Sequence, residues 1–330
     1  MRSVAANALT LLIVLGVVAA GMIGYAMRQV EAVGPLAEPA RFTVARGASL
    51  SQVSDRLAEA GMIGSPTLFR LAARYRGQDE ALRFGEYDIP AGASMAGLLD
   101  ILTSGRTVQY SLTVAEGLTS GEVVALLRAE PLLSGEIDET PPEGALAPDT
   151  YAIQRGDSRA ATLQRMKDLQ TRRVAAAWEA RDPGLRLENP LDLVTLASIV
   201  EKETGVAAER GLVAGVFHNR LERGMRLQSD PTIIYGITEG RGPLERPLTR
   251  SDIQTPTPWN TYTIDGLPPT PIANPGEASL MAAARPEDTD ALFFVADGTG
   301  GHAFARTLQE HNRNVAAWRA IERSRGSSGN

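Results

Sequence analysis

The 330-residue sequence contains no cysteine. This absence excludes disulfide frameworks, cysteine-ligated metals and thiol nucleophiles. It leaves the compartment open, because proteins of the cell envelope need not use disulfides. The three histidines, His218, His302 and His311, are scattered and do not follow metal-ligand spacing. We therefore expect neither a metal site nor a cofactor.

Basic clusters are also missing. The formal net charge is -6 and no run of Lys or Arg interrupts the sequence, which argues against nucleic acid as a partner. Hydrophobic residues make up 43% and charged residues 22% of the chain. This balance is typical of a globular protein with room for two or three domains.

The N-terminus carries the one long apolar run. Residues 3–27 contain no charge, and about 20 apolar residues suffice to cross a bilayer. We predict a cytoplasmic stub and single-pass transmembrane anchor over residues 1–30, followed by a linker over 31–40. Arg2 and the α-amino group favour a cytoplasmic N-terminus, with the bulk of the chain outside the cytoplasmic membrane.

Two other interpretations of this segment stay open. The small residues at 19–21 offer a signal-peptide cleavage site, although the apolar run continues beyond them to Ile23. A buried core helix is the third interpretation, and the Pro/Gly-containing linker that follows disfavours it.

After the linker a short unit recurs, consisting of an alternating strand, a glycine turn and Ser or Thr as a helix N-cap. Ser49 with Gln52 and Thr119 with Glu122 fit capping boxes. The first two units, with another helix between them, predict a β-α-α-β module over residues 41–107. It resembles a LysM-like domain, a fold that often recognises N-acetylglucosamine polymers. Because turn-and-cap patterns are general, a packing module without sugar contact remains an alternative.

The fold class expected for the whole chain is α+β. Beyond the module, helical apolar spacing dominates and strands are short, which predicts a mainly helical domain over residues 108–323. A proline-rich stretch, Pro243–Pro275, reads as a long loop, and loops of this length inside a compact domain are usually functional. Residues 324–330 read as a disordered tail.

One carboxylate terminates an otherwise apolar helix predicted over Leu191–Glu203. Glu203 shares a helix face with Leu196, Ile199 and Val200. Apolar neighbours raise the pKa of a carboxyl group, because desolvation disfavours the charged form. Such a group can act as a general acid near neutral pH. Glu201 lies about 200° away around the helix, so the two glutamates cannot form a pair on one face.

Several ungapped blocks, in one order, carry a family resemblance. They are Ala197-Ser-Ile-Val-Glu-Lys-Glu-Thr204, Glu209-Arg210, Phe217-x-Asn-Arg-Leu221, Gly224-Met-x-Leu-Gln-Ser-Asp-Pro-Thr232, Tyr235-Gly236, Thr257-x-x-Asn-Thr-Tyr262, Gly266-Leu-Pro-Pro269, Ile272-x-x-Pro-Gly276 and Phe294-Val-Ala-x-Gly-x-Gly-Gly-His-x-Phe304. The chain thereby closely resembles the endolytic murein transglycosylases of the MltG (YceG-like) family. The resemblance is strong over about residues 191–312 and looser back to Phe42.

The resemblance implies a reaction. These enzymes cut the β-1,4 bond between N-acetylmuramic acid and N-acetylglucosamine inside peptidoglycan strands and leave a 1,6-anhydro end. Their catalytic glutamate is the second of the Glu-Lys-Glu-Thr motif, which is Glu203 here. Further implications are a limit on nascent glycan strand length, an inner-membrane location with a periplasmic catalytic domain, and penicillin-binding synthases as partners.

The same blocks supply candidate site residues. Amides and carboxylates suit sugar hydroxyls and N-acetyl groups, and aromatic rings suit sugar faces. The candidates for substrate binding are Gln228, Asp230, Tyr235, Asn260, Tyr262 and His302, with Glu201, Asn219 and Glu310 as supporting residues. For two of them structural roles stay open, since Asp230 can cap a turn and Asn260 can hold loop backbone.

Two other functions remain open at the level of sequence. One is a peptidoglycan-binding scaffold without catalytic activity, which the intact Glu203 motif disfavours. The other is a lysozyme-type muramidase, which needs a second carboxylate to activate water. Asp230 is the candidate for that carboxylate.

Overall fold

The computed structural model describes residues 2–327, which divide into two compact units. The first unit runs from the N-terminal helix to Tyr110 and also contains Ala152–Asp157. The second contains Ser111–Tyr151 and continues from Ser158 to the last helix. Helices dominate, and the strands form small two-stranded sheets.

The first unit begins with a long helix and continues as strand, helix, helix and strand. Its elements are α1 (Arg2–Glu31), β1 (Ala40–Val44), α2 (Leu50–Glu59), α3 (Pro66–Tyr75), β2 (Gly85–Ile89) and α4 (Met95–Ser104). The β-α-α-β order is the one predicted for this segment. Its likeness to a LysM-like module is not confirmed and stays a prediction.

Strands β1 and β2 pair antiparallel, with Phe42 opposite Tyr87. Phe42, Val44, Tyr87 and Ile89 are all buried. Alternate strand residues point to one face of a sheet, so this face covers the core formed with α2, α3 and α4. The capping box of α2 is present as predicted, with Ser49 accepting from the Gln52 backbone N–H.

Helix α1 contributes the apolar run at the N-terminus. Its segment Leu9–Glu31 is long and apolar enough to cross a membrane. Large apolar side chains along it, such as Leu12 and Val17, are exposed. Length and composition thus fit a single-pass anchor.

The remaining described elements are eight α-helices and four short strands, which form two pairs. They are β3 (Tyr110–Thr113), α5 (Ser120–Ala129), β4 (Thr150–Ile153), α6 (Arg159–Glu179), α7 (Pro190–Glu203), α8 (Arg210–Glu222), α9 (Asp230–Thr238), α10 (Arg250–Gln254), α11 (Glu277–Ala284), β5 (Phe293–Ala296), β6 (His302–Ala305) and α12 (Leu308–Ser327). Strand β3 pairs with β4, and β5 pairs antiparallel with β6.

Helix α7 is the centre of the second unit. Asn189 caps it by accepting the backbone N–H groups of Leu191 and Asp192, and Pro190 occupies its first turn. Every residue from 193 to 200 is buried, and α6, α8 and α11 pack around it. A helix that is apolar on all sides belongs in a core, and α7 ends where the backbone becomes extended at Thr204.

The fold differs from the sequence-based expectation at several short elements. The sequence did not indicate α9, α11, β4 or β6, and the expected loop Pro243–Pro275 contains the short helix α10. A short strand can depend on a partner strand far along the chain, as β4 depends on β3, so local pattern predicts it poorly. Helix α12 continues to Ser327, past the predicted start of the tail at 324, and residues 328–330 lie outside the described residues.

Candidate active site

Glu203 is the last residue of α7, and its surroundings favour the neutral acid. The pKa of Glu203 is raised to about 7, chiefly because burial disfavours the charged form and also because of the nearby negative charge of Asp230. A hydrogen bond from Ser229, together with the charges of His302 and Arg220, acts in the opposite direction. Close to neutral pH a large fraction of this carboxyl group therefore carries a proton that it can donate.

The carboxyl group is nonetheless reachable. Leu196, Ile199 and Val200, which share its helix face, are fully buried, whereas Glu203 itself is partly exposed. The acid thus ends an apolar face on a residue that is partly exposed. A group in this position can contact a substrate while it keeps a raised pKa.

Ser229 holds the carboxyl group in place. Its hydroxyl donates to Glu203 Oε1 at 2.5 Å, although 26 residues separate the two along the chain. Ser229 is itself fixed, because its backbone N–H donates to Thr261 Oγ1 at 2.9 Å and its carbonyl accepts from Thr232 Oγ1 at 2.6 Å. All three hydroxyl residues are buried, so Ser229 is a rigid support for the acid.

Two predicted site residues lie directly before and after Ser229. Gln228 is exposed and has a left-handed backbone with φ 52°, and its N–H donates to Thr261 O at 3.2 Å. Asp230 is exposed, begins α9 and accepts the Tyr262 hydroxyl at 2.7 Å. Burial raises the pKa of Tyr262 most, and this hydrogen bond to Asp230 raises it further. Tyr262 is therefore a neutral hydroxyl beside the carboxyl group of Glu203.

His302 approaches Glu203 from the β5–β6 hairpin. Its Nδ1 lies 2.7 Å from Glu209 Oε2, and its backbone N–H donates to Glu209 Oε1 at 2.9 Å. The imidazole also packs edge-on against Phe294, with ring centroids 5.4 Å apart. Because Glu209 engages Nδ1, the orientation of the ring is fixed and Nε2 is the nitrogen left for a ligand.

A buried arginine, Arg220, also lies near the Glu203 carboxyl group. Arg220, on α8, donates through Nε to Leu292 O at 2.7 Å and through Nη1 to Leu227 O at 2.7 Å. Its guanidinium is thereby committed to backbone carbonyls. The interaction of its charge with Glu203 is the weakest of the influences on the pKa of that carboxyl group.

Tyr235 belongs to an aromatic pair. It meets Trp259 edge-on, with ring centroids 5.4 Å apart, and both rings pack against the α7 core. Burial raises the pKa of the Tyr235 hydroxyl to about 12. Nearby Glu143 accepts the Ser120 N–H at 2.9 Å, and burial raises its pKa to about 7.

Asn260 is fully buried within its own loop. Its Nδ2 donates to the carbonyls of Asp252, Ile253 and Thr255, and its Oδ1 accepts from the Tyr262 N–H. Both ends of the amide are used, so Asn260 shapes the loop that presents Tyr262.

The three supporting candidates have hydrogen bonds away from the Glu203 carboxyl group. Glu201 accepts the Gly276 N–H at 2.9 Å and lies 3.6 Å from Arg210. Asn219 donates to the carbonyls of Thr289 and Ala291. Glu310 accepts the N–H groups of Arg306 and Thr307 at the start of α12. Each of the three holds backbone of the second unit.

Within residues 2–327 no group of three or more His, Cys, Asp or Glu side chains is arranged to hold a metal ion. The chemistry argued below uses only the side chains already described.

The sequence blocks and the geometry around Glu203 are consistent with one family, and a comparison with family models identifies that family. The model of the YceG-like family matches residues 42–317. The chain belongs to the YceG-like family. The match leaves out the segment before residue 42 and the last part of α12, so it includes every element that carries the site.

Two relatives of this YceG-like chain carry the same name. The endolytic murein transglycosylase of Bacillus subtilis (strain 168) is 30% identical over 298 residues, which cover 81% of each chain. The endolytic murein transglycosylase of Streptococcus pneumoniae serotype 2 (strain D39) is 28% identical over 322 residues. That match covers 83% of this chain and 57% of the longer relative.

A solved structure has a similar fold. The crystal structure of a yceG-like protein from Listeria monocytogenes matches with a TM-score of 0.53 at 27% identity. The match covers 84% of this chain and 98% of the other.

Sequence reasoning did not select Ser229, Glu209 or Arg220 as site residues. All three lie inside the blocks that carried the resemblance, next to residues that were selected. Their positions in those blocks were the available signal. Only the folded chain shows what each of them contacts.

Proposed function

We propose that this chain is an endolytic lytic transglycosylase of peptidoglycan, with Glu203 as its general acid and then its general base. The observation that carries the proposal is the Glu203 carboxyl group, whose pKa is raised to about 7, chiefly by burial, on a residue that remains partly exposed. The names of the Bacillus and Streptococcus relatives support the same reaction class.

The proposed substrate is a glycan strand of alternating N-acetylglucosamine and N-acetylmuramic acid. Glu203 donates its proton to the oxygen that links C1 of N-acetylmuramic acid to the next sugar, and the C1–O bond breaks. The leaving sugar departs with a free hydroxyl group. Positive charge that develops at C1 is shared with the ring oxygen.

The second half of the reaction uses the substrate's own C6 hydroxyl. Its oxygen bonds to C1, and its proton passes to the Glu203 carboxylate, which is thereby restored as the acid. No water is consumed, so one carboxyl group suffices. An attack within one sugar ring has a high effective molarity, so the enzyme needs chiefly to orient the ring and exclude water.

Neighbouring residues have proposed roles in this cycle. Ser229 orients the carboxyl group and stabilises its charged form after proton transfer. Tyr262, Gln228 and His302 supply polar groups for sugar hydroxyls and N-acetyl groups. For Asn260 we propose the loop-holding role that its buried hydrogen bonds support.

The proposed location follows from α1. The segment Leu9–Glu31 anchors the chain in the inner membrane, with the N-terminus in the cytoplasm and the catalytic unit in the periplasm. In that position the enzyme would limit the length of nascent glycan strands. We propose penicillin-binding synthases as neighbours on the basis of the family resemblance alone.

The test is product analysis by mass spectrometry. Polymeric, uncrosslinked glycan is incubated with the wild-type chain, with Glu203→Gln and with Glu222→Gln. The last is a matched control, because Glu222 is an exposed glutamate at the end of α8. We expect 1,6-anhydro ends from the wild type and the control, and a loss of at least about a hundredfold in Glu203→Gln.

Other outcomes identify the alternatives. Reducing ends that are ~18 Da heavier, the mass of one water, would assign a hydrolase. Asp230 is then the candidate base, since it is exposed and its charge influences the pKa of Glu203. Cleavage by Glu203→Gln at the wild-type rate would refute the proposed role of Glu203, and glycan binding without cleavage by any variant would favour a scaffold.

A further inference from the structure

Helices α1 and α3 of the first unit lie side by side and leave a groove of about 510 Å³ between them. Ile23, Met27 and Val30 line one wall, and Leu68, Leu71 and Tyr75 line the other. On each helix these residues recur at intervals of three or four, so each wall is a single apolar stripe.

The α3 wall is exposed to an unusual degree for apolar side chains. The opposite face of α3, with Phe69 and Ala73, is buried in the core of the first unit. Leu71 is nevertheless 57% exposed and Tyr75 is 81% exposed. A contiguous exposed apolar surface of this kind marks a site that binds the apolar part of another molecule, such as a protein or a membrane lipid.

The length of α1 indicates that the bound molecule is a membrane lipid. The hydrocarbon core of a bilayer is about 30 Å thick, which about 20 helical residues span at 1.5 Å each. A span that begins at Leu9 therefore reaches the outer edge of the hydrocarbon near Arg28. Ile23 and Met27 then lie in the outer part of the hydrocarbon, and Val30 lies among the headgroups.

Because Leu71 and Tyr75 line the same groove as these α1 residues, they lie within the same range of depth, from the outer hydrocarbon to the headgroups. Tyrosine is enriched at membrane–water interfaces, where its ring is in the apolar region and its hydroxyl meets the headgroups. Arg74, also exposed on α3, can reach lipid phosphates from this position. The apolar groove, its depth and the residue types on α3 all indicate a position in the membrane interface.

We propose that phospholipid acyl chains of the outer leaflet fill the α1–α3 groove, so that α3 lies in the membrane interface. This inference rests on the proposed single-pass anchor. Its consequence is a first unit that is held against the bilayer at two places instead of hanging from a flexible tether. The Leu71–Tyr75 face of the module is then occupied by lipid and is not open to glycan.

The absence of cysteine makes a site-directed test clean, because every introduced cysteine is unique. Single cysteines replace Leu15, Leu71, Tyr75 and Leu308 in the full chain, and each takes a nitroxide label. Leu308 is a matched control, since it is a leucine of the second unit with 59% exposure, close to the 57% of Leu71. The labelled chains are reconstituted in vesicles of phosphatidylethanolamine and phosphatidylglycerol, and circular dichroism checks that each is folded.

Electron paramagnetic resonance then compares collisions of each label with oxygen, which partitions into lipid, and with a water-soluble nickel complex. We expect the oxygen-to-nickel ratio at positions 15 and 71 to exceed that at 308 several-fold. Position 75, which is close to the headgroups, should give an intermediate ratio.

Every other result overturns the inference in an identifiable way. A lipid-like ratio at 15 with a water-like ratio at 71 and 75 would leave the anchor standing and refute the lipid-filled groove. Low collision with both reagents at 71 would mean that protein, a second copy of this chain, covers the groove. A water-like ratio at 15 would refute the anchor and the groove together.

Discussion

At the scale of single residues, Glu201 and Glu203 on α7 show how different surroundings suit the same side chain to different roles. Glu201 and Glu203 are separated by one residue, yet Glu201 is committed to the Gly276 N–H and lies near Arg210. Glu203 lies on the apolar face, where desolvation raises its pKa. A carboxylate paired with a cation and an N–H donor is suited to holding structure, and a desolvated one is suited to proton transfer.

Substitutions of two neighbours of Glu203, Ser229 and Asp230, are predicted to shift its pKa in opposite directions. Ser229→Ala removes a hydrogen bond that stabilises the carboxylate, so the pKa of Glu203 rises and the alkaline limit of activity moves to higher pH. Asp230→Asn removes a negative charge, so the same pKa falls and the limit moves to lower pH. Each shift is expected to be about 0.5–1 unit.

The measurement is the rate of formation of anhydro ends as a function of pH, starting from a wild-type limit near the Glu203 pKa of about 7. Asn at 230 keeps an oxygen for the Tyr262 hydroxyl, so the loop geometry is preserved. Shifts in the same direction for both variants would contradict the electrostatic account.

The raised pKa of Glu203 also predicts a cost in stability. The folded chain holds this proton up to about pH 7, whereas the unfolded chain releases it near 4.5. Stability therefore falls as pH rises between these values, and the penalty is fully present above the upper one. Glu203→Gln should raise the free energy of unfolding by about 1–3 kcal/mol at alkaline pH and leave it unchanged in acid.

Thermal unfolding of wild type and Glu203→Gln across this pH range measures the effect. Glu143, whose pKa is also raised to about 7, adds the same pH dependence to both proteins and cancels in the comparison. If the two proteins keep a constant difference at every pH, Glu203 does not titrate as argued.

At the scale of elements, one loop packs closely against α7, the helix that ends at Glu203. Gly144 has φ 78°, and a Cβ there would lie 2.5 Å from Val194 on α7 and 2.9 Å from Pro271. Neither a fully packed helix nor a proline ring can give way easily. The loop after α5 thus approaches α7 closely only because residue 144 has no side chain.

A pair of glycine substitutions tests this packing. Gly135→Ala places a side chain in open space at φ 79°, so it should cost only the backbone strain of about 1–2 kcal/mol. Gly144→Ala adds the clash with Val194 and should cost about 1–3 kcal/mol more. Denaturant unfolding compares the two variants, and equal losses would show that the loop relaxes away from α7.

At the scale of the whole molecule, the location of the protein depends on whether α1 stays attached or is cleaved off. An anchor that stays attached gives a membrane-bound chain with its full N-terminal sequence. A cleaved signal peptide gives a chain shortened by about 20 residues, near the small residues Ala19-Ala20-Gly21.

Intact mass of the chain extracted from expressing cells distinguishes the two. We expect the full-length mass in the membrane fraction, and we expect a chain that lacks residues 2–31 to be recovered in the soluble fraction. A shortened chain in the soluble fraction of the wild type would remove the anchor from the proposal.

The sequence by itself determined the features that depend on neighbouring residues. Apolar length marked α1, capping residues marked the starts of α2 and α5, and apolar residues at helical spacing marked the helix that ends at Glu203. The helix face of Glu203 also followed from periodicity, because side-chain direction along a helix is fixed by backbone geometry.

Tertiary structure alone decided which distant residues meet. Ser229 reaches Glu203 across 26 residues, and Glu209 reaches His302 across 93. It also placed Asn260 inside its loop and set α3 beside α1. Such contacts follow from how whole elements pack, and packing sums many weak interactions along the entire chain, so no local pattern encodes them.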